Sequence, residues 1–470
     1  MLFNSLKFLL IFPMIFGIHW AIPAKYNQWR KLFLIFASYL LYIYFKPAYA
    51  LVLLGVTLVT FYGGLFIEHE GTARKKHLIW LLTVLALLPL LVFKYYNFLN
   101  NSVSEGLGAI GLMFTLPGLN WAVPVGISFF TFQAVGYLLD VFHERIKAEK
   151  DIIDYLLFVS FFPQIASGPI SKADELLPQI KRERSFDYNQ AVSGLKYLLW
   201  GMFLKVVIAD RAGIYVDTVF GSFEKFSGLG CMLASVLYSV QIYADFAGYS
   251  LMAVGIGKTL GFSLIDNFNR PYFAATVTEF WKRWHISLTR WLTQHVYLPL
   301  GGSRCSKTHN YWNILVTFLV SGIWHGANWT FIIWGVLHGI CQIIEKAFGW
   351  NKKNYKGAGR LTRIILTFII VTLAWTIFRS PSIADALAYF IRFGSTSGEL
   401  VAQGSGSTLT YTIIGIIPLI VFELLCEYFP YAYNWLCKKQ WLRWCAYLMV
   451  FTMMMLTGVF DGSSFIYVSF

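Results

Sequence analysis

An ionisable side chain in the middle of an apolar run is the clearest chemical signal in this chain. Residues 311–344 read YWNILVTFLVSGIWHGANWTFIIWGVLHGICQII, and His325 lies near their midpoint, with Asn328 three residues on. Such a group is expensive at membrane depth and is kept where it binds or transfers something. A neutral imidazole can take a proton from a hydroxyl near pH 7, so His325 reads as a general base. The competing reading is a core histidine hydrogen-bonded to a neighbouring helix. His285, in WKRWHISLTRW, is either functional or an incidental histidine on an interfacial helix. Asp245, in QIYADFAGYS, could pair with Lys258 or cap the helix that follows.

Other patterns fall away on their context. GLGAIG at 106–111 follows no strand, and Met252 stands where a P-loop ending in GIGKT at 255–259 needs glycine. Asn328-Trp329-Thr330 has the spacing of a glycosylation acceptor but lies within the apolar run. The six cysteines form no C-x-x-C pair and sit in or beside apolar stretches, which suits packing better than a disulfide framework or a zinc site. No metal is expected.

The elements that must hold these residues follow from composition. The 470 residues are 57% hydrophobic and 13% charged, where a soluble domain carries about 25% charged. Apolar runs recur at 32–45, 49–67, 77–93, 361–378 and 409–425, continuous and without period-two alternation. They imply an all-α polytopic membrane protein and exclude a barrel. The net charge of +14 belongs to cytoplasmic loops and does not point to nucleic acid.

Basic residues set the expected topology. Lys25, Arg30 and Lys31, then Arg74, Lys75 and Lys76, mark cytoplasmic loops and place the N-terminus outside. The loop 100–121 carries no Lys or Arg and reads as external. A span at 122–142 returns the chain to Arg145, Lys147 and Lys150. Residues 151–171 have basic loops on both sides and end in Pro163, Gly168 and Pro169, so they read as a re-entrant element lining a cavity. Spans at 190–209 and 227–245 follow. The stretch 279–296 reads as one amphipathic interfacial helix with Phe280, Trp281, Trp284, Leu288, Trp291 and Leu292 on its apolar face. The His325 run begins and ends on the basic side, which makes it a hairpin with His325 near its tip. About 10 to 12 crossings result, with the C-terminus external, in a single transmembrane domain over 1–470.

Two motifs carry a resemblance. EFWKRWHISLTRWLTQHVYLPLGGSR at 279–304 and SGIWHGANWTFIIWGVLHG at 321–339 resemble the membrane-bound O-acyltransferase family, in its bacterial alginate O-acetyltransferase-like branch. VPVGISFFTFQAVGYLLDV at 123–141, FFPQIASGPI at 161–170, QIYADFAGYS at 241–250, AWTIFRS at 374–380 and FIYVSF at 465–470 are similar to the same branch. Leu251 departs from it, standing where an aspartate is usual.

The resemblance implies a ring of helices around a tunnel between a cytoplasmic donor entrance and an external acceptor site. It makes His325 the catalytic residue and His285 a second family histidine on the donor side. The implied enzyme moves an acyl group, acetyl from acetyl-CoA or from a carrier-protein thioester, to a hydroxyl of an exported polysaccharide or cell-wall glycan. A periplasmic serine-hydrolase-type acyltransferase is an implied partner, and a bacterial cytoplasmic membrane rich in lipid contacts the implied setting. In this scheme Asn328 or a backbone N–H stabilises the oxyanion, and His285, Trp281 and Trp284 hold the donor. Lys282, Arg283 and Arg290 attract its phosphates. The competing functional reading is a membrane transporter of a glycan or lipid, against which stand the absence of an internal repeat and of paired carboxylates for ion coupling.

Overall fold

The computed structural model describes residues 3–44, 46–401 and 406–460; the FIYVSF stretch lies outside them. Regular structure among the described residues is helical apart from an isolated bridge between Phe226 and Glu399. In chain order come α1 (Leu6–Ala21), α2 (Asn27–Ile43), α3 (Pro47–His69), α4 (Thr72–Leu90), α5 (Tyr96–Ala109) and α6 (Ile127–Phe142). Next are α7 (Ile152–Ser160), α8 (Phe162–Ile165), α9 (Ala173–Lys181), α10 (Tyr188–Phe203), α11 (Asp210–Gly221) and α12 (Gly228–Thr259). The chain continues with α13 (Val277–Arg283), α14 (Ile286–Leu292), α15 (Lys307–His325), α16 (Trp329–Ala347) and α17 (Gly357–Arg379). It closes with α18 (Ile383–Arg392), α19 (Gly406–Tyr428), α20 (Pro430–Lys438) and α21 (Gln440–Thr457).

Six of the helical stretches described are long and apolar enough to cross a membrane, or seven if α1 and α2 form one bent span. This is fewer than the 10 to 12 crossings read from the loops. The apolar runs are present, but several are cut short: α6 has 16 residues, and α1 and α2 meet at 106°. Two of the basic residues taken for a loop are interior. Arg30 donates to the Ile22 carbonyl at 2.7 Å, and Lys31 lies 2.5 Å from Asp154.

The 151–171 segment is short, broken and enclosed. Its irregular backbone is satisfied by side chains from elsewhere: Gln133 donates to the Phe158 carbonyl (2.6 Å), while Ser38 and Ser287 accept from the N–H groups of Phe162 and Ile170 (3.1 and 3.0 Å). Non-helical backbone survives at depth only with such partners. Asp245 lies inside α12, where it caps no helix, and its ion pair is with Lys205. Lys205 reaches both Asp245 and Asp210 at 2.6 Å, a buried triad between α12 and the start of α11.

Among the described residues, three helices contain a π-helical turn, at Leu91–Tyr95, Leu204–Ala209 and Thr293–Tyr297. Each holds a basic side chain facing a polar group: Lys94, Lys205 and His295. Such turns often occur at functional positions, because the extra residue re-aims a side chain that an α-helix would point elsewhere.

Candidate active site

His325 is the last residue of α15, and α16 begins four residues later, so the expected hairpin is present with the histidine at its tip. The legs pack at backbone contact. A Cβ on Gly335 would lie 2.3 Å from the Phe318 carbonyl oxygen, and one on Gly322 would lie 2.4 Å from that of Phe331. Glycine is required at this seam.

The imidazole of His325 is 1% exposed and enclosed by rings. Trp334 lies 4.9 Å away and Phe378 5.5 Å, both edge-on, with Trp324 beside it in sequence. The indole N–H groups of Trp324 and Trp334 have no hydrogen-bond partner among the described residues.

The backbone of His325 is clamped by residues the sequence did not single out. Lys94 Nζ donates to the carbonyls of His325 (2.7 Å) and Trp324 (3.0 Å), and Tyr95 Oη donates to that of Ile323 (2.5 Å). A helix leaves its last carbonyls without intrahelical partners. The π turn at 91–95 supplies them at three successive positions. The pairing joins residues more than two hundred positions apart, and a lysine ending an apolar run reads in sequence as an interfacial snorkel.

Asn328 has a structural task. Its Oδ1 accepts from Thr330 N–H (3.0 Å), capping α16, and its Nδ2 donates to the Pro381 carbonyl (2.7 Å). The Asn-x-Thr spacing set aside as a glycosylation acceptor is that of an N-cap. The oxyanion role expected of Asn328 therefore conflicts with its geometry.

The 279–296 segment is not one helix. It breaks at Trp284 and His285, where His285 adopts a left-handed conformation with φ 44°. A non-glycine residue there costs about 1–3 kcal/mol and is held by its surroundings. Asn267 does the holding: its carbonyl accepts from Ile286 N–H (2.9 Å), while its Oδ1 accepts from Ser287 N–H (3.0 Å) and faces His285 Nδ1 at 3.3 Å. The apolar face is buried against protein and not at a membrane interface. His285 lies 5.7 Å from Trp324, ring to ring, and so shares the aromatic enclosure of His325.

The candidate donor residues separate into two groups. Lys282 is exposed and lines a cleft of about 620 Å³ with Arg145, Lys172, Arg290 and the edge of Trp281. Trp284 is fully buried against Trp375 and Phe280, away from that lining. Arg283 turns to Glu279 (2.8 Å) and Glu427 (2.9 Å), so it is not free for a phosphate. Burial opposes its charge, but these two carboxylates outweigh that and raise its pKa above the ordinary value. Arg290 remains at the cleft while paired with Glu175 at 2.5 Å. Missed in the sequence were Lys172 and Arg145, and His295, which faces Asp140 at 3.9 Å beside the same cleft. Another buried histidine, His338 on α16, touches both Trp281 at the cleft and Trp334 beside His325.

The chain matches known proteins along most of its length. The profile of the membrane-bound O-acyltransferase family covers residues 38–384. A probable alginate O-acetylase of Pseudomonas syringae pv. tomato is 37% identical over 82% of this chain and 73% of its own length. A peptidoglycan O-acetyltransferase of Helicobacter pylori is 35% identical over 77% and 73%, and a teichoic acid D-alanyltransferase of Bacillus subtilis 27% identical over 63% and 76%.

Proposed function

The chain belongs to the membrane-bound O-acyltransferase family and is a multi-pass O-acyltransferase, and we propose that it passes an acetyl group from a cytoplasmic thioester to a hydroxyl of an exported polysaccharide or cell-wall glycan. The observation that carries this reading is the placement of a buried histidine at a hairpin tip, with a basic cleft beyond the rings that surround it. The named relatives act on glycans of this kind, which supports the acceptor class.

In this reading acetyl-CoA lies with its phosphates at Lys282 and Lys172, Arg145 being held by Asp140 at 3.0 Å, and its acetyl group at His325; a carrier-protein thioester would present the same arm. His325 accepts the hydroxyl proton as the hydroxyl oxygen bonds to the thioester carbonyl carbon. The indole N–H groups of Trp324 and Trp334, buried and unpaired among the described residues, are available to the oxyanion. The C–S bond then breaks, and the leaving thiolate takes the proton back from His325. His285, in the same enclosure, orients the donor. The setting is a bacterial cytoplasmic membrane with both termini outside, one transmembrane unit, and a periplasmic serine-hydrolase-type partner that relays the acetyl group to the glycan.

The test uses the full chain in proteoliposomes with labelled acetyl-CoA inside and oligosaccharide, with or without such a partner, outside. Label should reach the external acceptor and should not do so with His325→Ala. Full transfer by a folded His325→Ala protein would refute the catalytic assignment, and glycan flux without thioester turnover would refute the reaction.

A further inference from the structure

The buried histidines around His325 differ in which ring nitrogen carries the proton, and hydrogen bonding fixes this for His338. Trp281 Nε1 lies 3.3 Å from His338 Nδ1. An indole N–H can only donate, so Nδ1 must present its lone pair. In a neutral imidazole the proton is then on Nε2. That Nε2 is buried, with the residue 1% exposed, and has no hydrogen-bond partner among the described residues. His285 is the opposite case: its Nδ1 faces an acceptor, Asn267 Oδ1, which leaves its Nε2 as a bare lone pair.

An unpaired N–H in an apolar enclosure costs free energy unless something arrives to accept it. The rings around His338 are Trp281, Trp334, Phe318, Phe280 and Trp375. Trp281 also borders the basic cleft, and Trp334 lies 4.9 Å from both His338 and His325. His338 therefore shares Trp334 with His325 and Trp281 with the cleft, and a thioester arm running from the cleft to His325 would pass these rings. That arm carries amide carbonyls behind its sulfur. The position is held from both ends, because Glu345 on α16 accepts from the N–H groups of Val277 (2.5 Å) and Thr278 (2.9 Å) and ties the helix of Trp281 to the helix of His338.

We propose that the Nε2–H of His338 binds an amide carbonyl of the thioester arm, making His338 a specificity-determining residue for donors that carry that amide. This rests on the acyl-transfer reading above. The experiment compares two small donors in the full chain: the acetyl thioester of N-acetylcysteamine, which has the amide, and that of propanethiol, which lacks it. His338→Leu should lower kcat/KM about tenfold for the first, the worth of one neutral hydrogen bond, and leave the second within twofold. His338→Gln, which restores an N–H near Nε2, should recover part of the loss. Trp281→Phe, which no longer fixes the tautomer, should lose part of it, and this variant keeps the question open to measurement where His338→Leu does not fold. Equal losses on both donors, or none on either, would overturn the proposal while leaving acyl transfer intact. Failure of the wild type to turn over either thioester or acetyl-CoA would overturn the acyl-transfer reading and this proposal with it.

Discussion

The surroundings of His325 and the basic cleft are built from opposite materials. At His325 the neighbours are indole and phenyl rings, and Lys94 Nζ is spent on backbone carbonyls and the Ser128 hydroxyl. At the cleft, Lys282, Lys172, Arg145 and Arg290 share the open lining with Asp140 and Asp174. Charges exposed to water attract at a distance but discriminate little. Polar contacts in a dry enclosure reach no further than a hydrogen bond, yet each is worth more there. The mouth is suited to capturing any phosphate-bearing donor, and the interior to choosing what reacts.

Mutations should therefore change kcat at one end and KM at the other. The largest effect is expected from His325→Ala: a fall in kcat of about 10²–10⁴, the usual worth of a positioned base, in protein that remains monodisperse in detergent. Lys94→Met should follow, lowering kcat about tenfold or more with donor KM unchanged, because it removes two hydrogen bonds to the His325 turn and nothing at the cleft. Lys94→Arg should recover part of this. A rise in KM instead would place Lys94 with the cleft and erase the distinction. The Lys172→Gln, Lys282→Gln double variant should raise KM for acetyl-CoA several-fold at low salt and leave kcat alone, the difference shrinking as ionic strength rises. Arg290→Gln should do least, since the lost pair with Glu175 is at the surface and worth about 0–1 kcal/mol of stability in a thermal-melt comparison.

The same contrast explains what the sequence revealed. The hairpin around His325 and the enclosed 151–171 segment were legible because both follow from local rules, the cost of a buried charge and the placement of basic residues. The break at His285 was not, since it depends on Asn267, a partner outside the amphipathic pattern that suggested one helix. Arg283 looked available for a phosphate until the fold brought Glu427 to it, and Asn328 looked chemical where it is a cap. Lys94 shows the limit most clearly, for nothing near position 94 announces a carbonyl at position 325.

The π turns at 91–95, 204–209 and 293–297 have a consequence for how this chain can vary. A π turn is in effect a one-residue insertion in a helix, and deleting that residue restores regular winding. Everything beyond the deletion then rotates by about 100°. Lys94, Lys205 and His295 would swing off the carbonyls and carboxylates they now face, although every side chain were kept. These three positions should tolerate substitution better than a change in length, and a homologue shortened by one residue at 91–95 would need a different means of closing the helix that ends in His325.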